Sequence, residues 1–258
     1  MLLPLLLAAC FSEVPQPQPL AQGTFDLDLA TDSMAVVVET RAPRQLTDDE
    51  AATFYVTLAD PEMVLWQHKP YADITLADRT QPLGTGYTVM AENITAAEAE
   101  TLNDGWGARR YAGTSDTFDV VASETTHVTV PCRMANAALT VTFDDAFTTF
   151  FTDYAVTTAD TRALKFNADN TGDNNTAYAY YNTDPETASV NVPLLITASA
   201  GWDGTARISR TLTLRAGHIT RLDVRLNSTE PTTGDISVLA VTYDDTFTEG
   251  STTEIILE

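Results

Sequence analysis

Apolar and polar residues alternate in short runs along most of this chain. Phe25, Leu27 and Leu29 alternate with Asp26 and Asp28, and residues 54–58, 74–76 and 87–90 do the same with turn-forming residues between them. Each run reads as a strand with one buried and one wet face. Thr125 to Val130 closes a first set. Residues 137–143 open a second, with Leu139, Val141 and Phe143 on one face and Thr140 and Thr142 on the other. A boundary at Pro131 to Asn136 leaves units 23–131 and 132–230, each about 100 residues, a usual β-sandwich size. The pattern predicts an all-β chain of two tandem Ig-like β-sandwich domains.

Helical signals are few. Thr95-Ala96-Ala97-Glu98 has capping-box spacing and predicts a short helix to about Leu102. Phe147, Phe150, Phe151 and Tyr154 fall at helical spacing and predict a turn or two of helix packed on the core. An internal echo supports two units: Phe143-Asp144-Asp145-Ala146-Phe147 returns as Tyr243-Asp244-Asp245-Thr246-Phe247, and Thr126, Val128 and Val130 correspond to Thr220, Leu222 and Val224.

Composition agrees with strands, because 42 of the 258 residues are Thr, a β-branched side chain that suits half-buried sheet. A net charge of −22 repels phosphate backbones and excludes nucleic acid as a partner. The charge is uneven: residues 23–131 carry 18 acids and 6 bases, 132–230 carry 11 and 8, and 231–258 carry 6 acids and no base. Arg207, Arg210, Arg215, Arg221 and Arg225 crowd the end of the second unit. Leu212, Leu214, Leu222, Val224 and Leu226 are expected on the alternate, inward face. The acidic tail, 231–258, contains a strand-like run at 235–243 that is expected to pair beside them, in its own unit or a neighbour's.

The N-terminus has a different pattern. The apolar run Leu2 to Ala9 is too short to span a bilayer and ends at Leu7-Ala8-Ala9-Cys10, a lipoprotein signal that makes residues 1–9 a leader and Cys10 the lipidated first residue. No Lys or Arg precedes the run, a departure from that signal. Residues 10–22, with Pro15, Pro17 and Pro19, read as an extended stalk. The remaining cysteine, Cys132, is expected to be a small buried hydrophobe.

Catalytic chemistry is not visible. His68, His127 and His218 are isolated, and neither a nucleophile turn nor a phosphate-binding glycine loop occurs, so no enzyme and no cofactor is expected. Residues 167–175 alternate oxygen side chains as a calcium loop would, but the twelfth position is Tyr178, not a bidentate Glu, so no metal is assigned. Trp66, Trp106 and Trp202 lie in turn-like contexts and are candidates for stacking on sugars, against the commoner fate of core packing. Asp32-Ser33-Met34 makes Ser33 a candidate O-glycosylation site.

Taken together, the lipobox, the Pro-rich spacer, Val37-Val38-Glu39-Thr40-Arg41-Ala42, the 82–91 hairpin and Val130-Pro131-Cys132-Arg133 resemble the fimbrillin-like surface lipoproteins of Bacteroidales. The resemblance covers most of residues 1–230. It implies two transthyretin-like sandwiches, an outer-membrane, cell-surface address through the lipid at Cys10, and a role as fimbrial subunit, anchor or adhesin-like component. A carbohydrate-binding surface lipoprotein is the alternative. It also implies maturation by cleavage after Arg41 or Arg44, Arg44 being preferred because Pro43 hinders cutting after position 42, followed by strand exchange with another subunit. An uncleaved anchor would keep residues 23–40 as a permanent strand.

Overall fold

The computed structural model describes residues 21–31, 44–171, 176–200, 205–226, 236–244 and 249–255, the last two as strand backbone. Cys10, Ser33, Arg41 and Trp202 lie outside the described residues. The first unit contains β1 (Gln22–Thr31), β2 (Arg44–Gln45), β3 (Tyr55–Ala59), β4 (Val64–Pro70), β5 (Thr80–Pro82), β6 (Gly84–Glu92), β7 (Tyr111–Thr114), β8 (Phe118–Val120) and β9 (Thr125–Met134), with helices α1 (Asp48–Ala51) and α2 (Ala96–Thr101). Its strands run β2-β1-β9-β7-β6-β3-β4, with β5 on β1 and β8 on β6. The alternation read in the sequence is the packing rule: Phe25, Leu27 and Leu29 from β1 meet Val128 and Val130 from β9 and Val56 and Leu58 from β3 in one core.

The second unit is a two-sheet sandwich. One sheet runs β13-β10-β16-β17-β18 and the other β12-β11-β14-β15. The strands are β10 (Ala137–Phe143), β11 (Asp153–Thr158), β12 (Lys165–Phe166), β13 (Ala179–Tyr181), β14 (Ser189–Ser199), β15 (Thr205–Arg215), β16 (His218–Leu226), β17 (Ile236–Asp244) and β18 (Glu249–Ile255). Leu139, Val141, Leu222 and Val224 face Val192, Leu194, Ile196, Leu212 and Leu214 across the core. Helix α3 (Asp145–Phe150), capped by the Asp144 carboxylate accepting from the Phe147 N–H, inserts Phe147 into that core. The ring of Phe147 meets those of Phe143, Phe151 and Tyr154.

The internal echo has a structural basis in one of its two parts. In each unit the first long strand pairs in parallel with a much later one: Leu27 and Leu29 lie opposite Val128 and Val130, and Val141 and Phe143 opposite Leu222 and Val224. Strands β9 and β16 are therefore equivalent. The other part does not hold by position, because β10 and β17 lie on opposite sides of β16, one parallel and one antiparallel.

Three expectations need correction. Residues 74–76 form no strand: the Asp78 carboxylate accepts from the N–H and hydroxyl of Thr75, closing a turn that leaves Leu76 exposed. The two strand sets part at Ala135 and Asn136, inside the expected Pro131 to Asn136, because β9 continues to Met134. Trp66 is in strand β4, not in a turn. Arg210 shares the inward parity of Leu212 and Leu214; on β15, the last strand of its sheet, an inward charge discourages further strand pairing. The tail pairs within its own unit, β17 lying along β16 with Arg221 opposite Val241 and Arg225 opposite Ser237.

Candidate functional site

The two units meet through residues that the turn chemistry of the first unit presents to the second. Asn136, fully buried between β9 and β10, donates from Nδ2 to the Ala108 carbonyl (2.8 Å) and accepts at Oδ1 from the Arg110 N–H (3.1 Å). Ala138 and Ile219 of the second unit belong to the core of the first. The capping box at Thr95 and Glu98 starts α2 where the sequence placed it. Directly after β13, Asn182 reaches back to that helix, its Nδ2 donating to the Ala96 carbonyl (2.6 Å) and its N–H to the Glu100 carboxylate (2.9 Å).

After α2 the chain turns through Asn103 (φ 54°), Asp104 (φ 55°), Gly105 (φ 86°) and Gly107 (φ 81°). Asn, Asp and Gly are the residues that tolerate this left-handed region, so the composition of the loop permits its shape. The Asn103 amide donates to the Gly107 carbonyl (2.8 Å) and closes the turn. A Cβ at Gly107 would lie 2.7 Å from the Ala99 carbonyl oxygen and 3.1 Å from Tyr180, so only glycine allows the loop and β13 to approach. Between them, the Trp106 ring projects from the first unit against the second core and meets Phe166 edge-on, 4.9 Å between centroids. The Tyr180 N–H donates to the Trp106 carbonyl (2.8 Å). Arg162 ties both sides, donating to the carbonyls of Gly105 (3.3 Å) and Tyr180 (2.8 Å) while its guanidinium lies 3.8 Å over the Tyr181 ring.

This junction leaves a cleft of about 370 Å³ lined by Asn103, Trp106, Asn170, Tyr178 and Tyr180. The structure thus brings one of the three candidate tryptophans into a concave site. Trp66 lies opposite Leu58 and packs on the first core with its indole N–H buried. Tyr178 lies just before β13 and Tyr180 within it, and their rings are 6.4 Å apart on the same side of the chain's path into the cleft.

Arg44 begins β2 opposite Thr31, and its guanidinium holds the Glu50 carboxylate at 2.6 and 2.8 Å, next to the capping box of α1. That pairing, with the Thr47 N–H, holds the Glu50 carboxyl down at about 2. Among the described residues no group of three or more His, Cys, Asp or Glu converges as a metal site would require. In 167–175, the Asn167 and Asn170 side chains close local turns, and 172–175 lie outside the described residues. Cys132 is fully buried in β9, and burial pushes its thiol up to about 12. Cys132 in the native chain is expected to resist iodoacetamide near pH ~8 and to react once the chain is unfolded in urea, followed by mass mapping of the peptide that carries it; labelling of Cys132 at free-thiol rates in the native state would contradict this packing.

No curated protein matches the chain. Among solved structures it is similar to a fimbrial assembly protein from Parabacteroides distasonis, at 12% identity over 91% of this chain and 100% of that one, with a TM-score of 0.48. It is also similar to the fimbrial anchor protein Mfa2 from Porphyromonas gingivalis, at 12% identity over 83% and 96% of the two chains, with a TM-score of 0.36. A family model described as a domain of unknown function, DUF4493, matches residues 21–258, and the chain belongs to that family.

Proposed function

We propose that this chain is a cell-surface fimbrial subunit, anchor or adhesin-like component, lipid-anchored at Cys10 in the outer membrane and joined to neighbouring subunits by strand exchange. The sequence resemblance motivates this reading, and the placement of β1 carries it. β1 is the first described element of the chain, and eight of its residues pair in parallel with β9 from Thr24 opposite Thr125 to Thr31 opposite Cys132. Its Phe25 and Leu29 are buried in the first core. Removing β1 would bare the β9 edge together with a row of side-chain pockets, the two elements that a donated strand needs. An incoming strand of opposite direction would replace a parallel ladder by an antiparallel one, slightly more stable per residue.

Within this reading the cut falls better after Arg41 than after Arg44, because Arg44 is already in β2 and engaged by Glu50. The test is digestion of the full chain with an Arg-specific protease, followed by N-terminal sequencing and size-exclusion chromatography. Release of an N-terminal fragment and assembly of the remainder into oligomers are expected, with a synthetic peptide of residues 22–31 blocking that assembly. A cut chain that retains β1 and stays monomeric would sink the proposal.

A further inference from the structure

We infer that the cleft between the two units binds a neutral saccharide, one or two sugar rings at the end of a glycan. Its volume, about 370 Å³, lies within the ~300–1,000 Å³ of small-ligand sites. Trp106, Tyr178 and Tyr180 line it, the two tyrosine rings 6.4 Å apart and 29° from parallel. Aromatic faces of this kind take up the C–H side of a pyranose, which is apolar although its rim is hydroxylated.

The polar groups fix the chemistry more narrowly. Among the described residues, the Trp106 indole N–H and the Tyr178 hydroxyl have no partner, and Asn103 uses its Nδ2 on Gly107 while its Oδ1 stays open. The cleft therefore offers donors and an acceptor together. Sugar hydroxyls, which both donate and accept, satisfy all three; a proline-rich peptide, another occupant of aromatic grooves, supplies carbonyls and few donors and would leave the Asn103 oxygen unmet. Among the described residues no charged side chain lines the cleft, and a chain at −22 disfavours anionic ligands, which points to neutral sugars. The loop that carries Trp106 holds four left-handed residues in five, a backbone fixed before any ligand arrives.

The experiment is saturation-transfer NMR on the full chain with methyl α-mannopyranoside, methyl β-galactopyranoside, N-acetylglucosamine and cellobiose, beside a Pro-Gln repeat peptide. Transfer to at least one saccharide is expected, weakened about tenfold in both Trp106→Phe and Tyr178→Phe, each of which keeps its ring and loses one donor. Melting temperatures identify any variant weakened through its fold, and Tyr178→Phe, at a half-buried position, serves if Trp106→Phe is destabilised. No transfer to any saccharide at about 10 mM, above the millimolar range of a shallow site, would overturn the inference. So would binding that both variants leave intact, or binding of the peptide alone. The measurement leaves β1 in place, so its outcome is independent of strand exchange.

Discussion

Phe25→Ala is expected to lower the stability of the first unit by about 3–5 kcal/mol, the usual cost of emptying a fully buried phenylalanine site. The ring has no solvent exposure and stands 5.3 Å from Phe118, which in turn lies 5.8 Å from Tyr87. Strand β8, which carries Phe118, is three residues long, so its attachment depends heavily on this aromatic row. The substitution therefore creates a cavity between β1 and a weakly held neighbour, with β9 rigid behind it. Urea denaturation should show the midpoint falling with the slope unchanged. Because β1 gives up its largest anchor, an Arg-specific protease should also release the N-terminal fragment faster. A loss below about 1 kcal/mol would mean that the site collapses around the missing ring and that β1 is not held by its side chains.

β1 was legible because its alternation is long. Five residues with strict period two, buried on one parity, leave only one register against the core, and the same holds for β6 and β9, whereas β10 is buried on both faces. The run at 74–76 failed for the opposite reason. Three residues cannot separate a strand from a turn, and the Asp78 carboxylate, itself held down at about 2 by Lys69 and Thr75, gives the backbone of Thr75 a local partner that a ladder would have to outcompete. The break between the strand sets narrows to Ala135 and Asn136 because β9 runs on through Pro131, opposite Ala30, to Met134. Arg210 contradicts its pattern because it serves the edge of the sheet and not the core. The cleft was half legible: Gly105 and Gly107 announce a tight loop around Trp106, while Tyr178 and Tyr180 lie more than seventy residues later and meet it only through the docking of two units.

Arg110→Ala is expected to cost about 3–5 kcal/mol, and more than removing both members of the ion pair it belongs to. Its guanidinium donates to the Glu92 carboxylate from Nη2 (2.8 Å) and Nε (3.2 Å) and to the Ile94 carbonyl (3.3 Å), with side-chain exposures of only 20% for Arg110 and 11% for Glu92. Truncation leaves a carboxylate buried beside the His68 imidazole, 3.7 Å away, and that ring is stacked on Tyr55 at 4.1 Å from a left-handed backbone position (φ 50°), so it has little freedom to approach. The double variant Glu92→Gln, Arg110→Met removes the charge along with its partner and keeps the volume of both side chains. Its midpoint in urea should lie closer to the parent than that of Arg110→Ala. The backbone of Arg110 donates to Asn136 and accepts from Ala135 whatever its side chain, so the junction between the units should survive and the loss should fall on β6 and β7. If the double variant proved as unstable as the two single losses added together, the pair would be uncoupled and the buried charge would not be what makes Arg110 necessary.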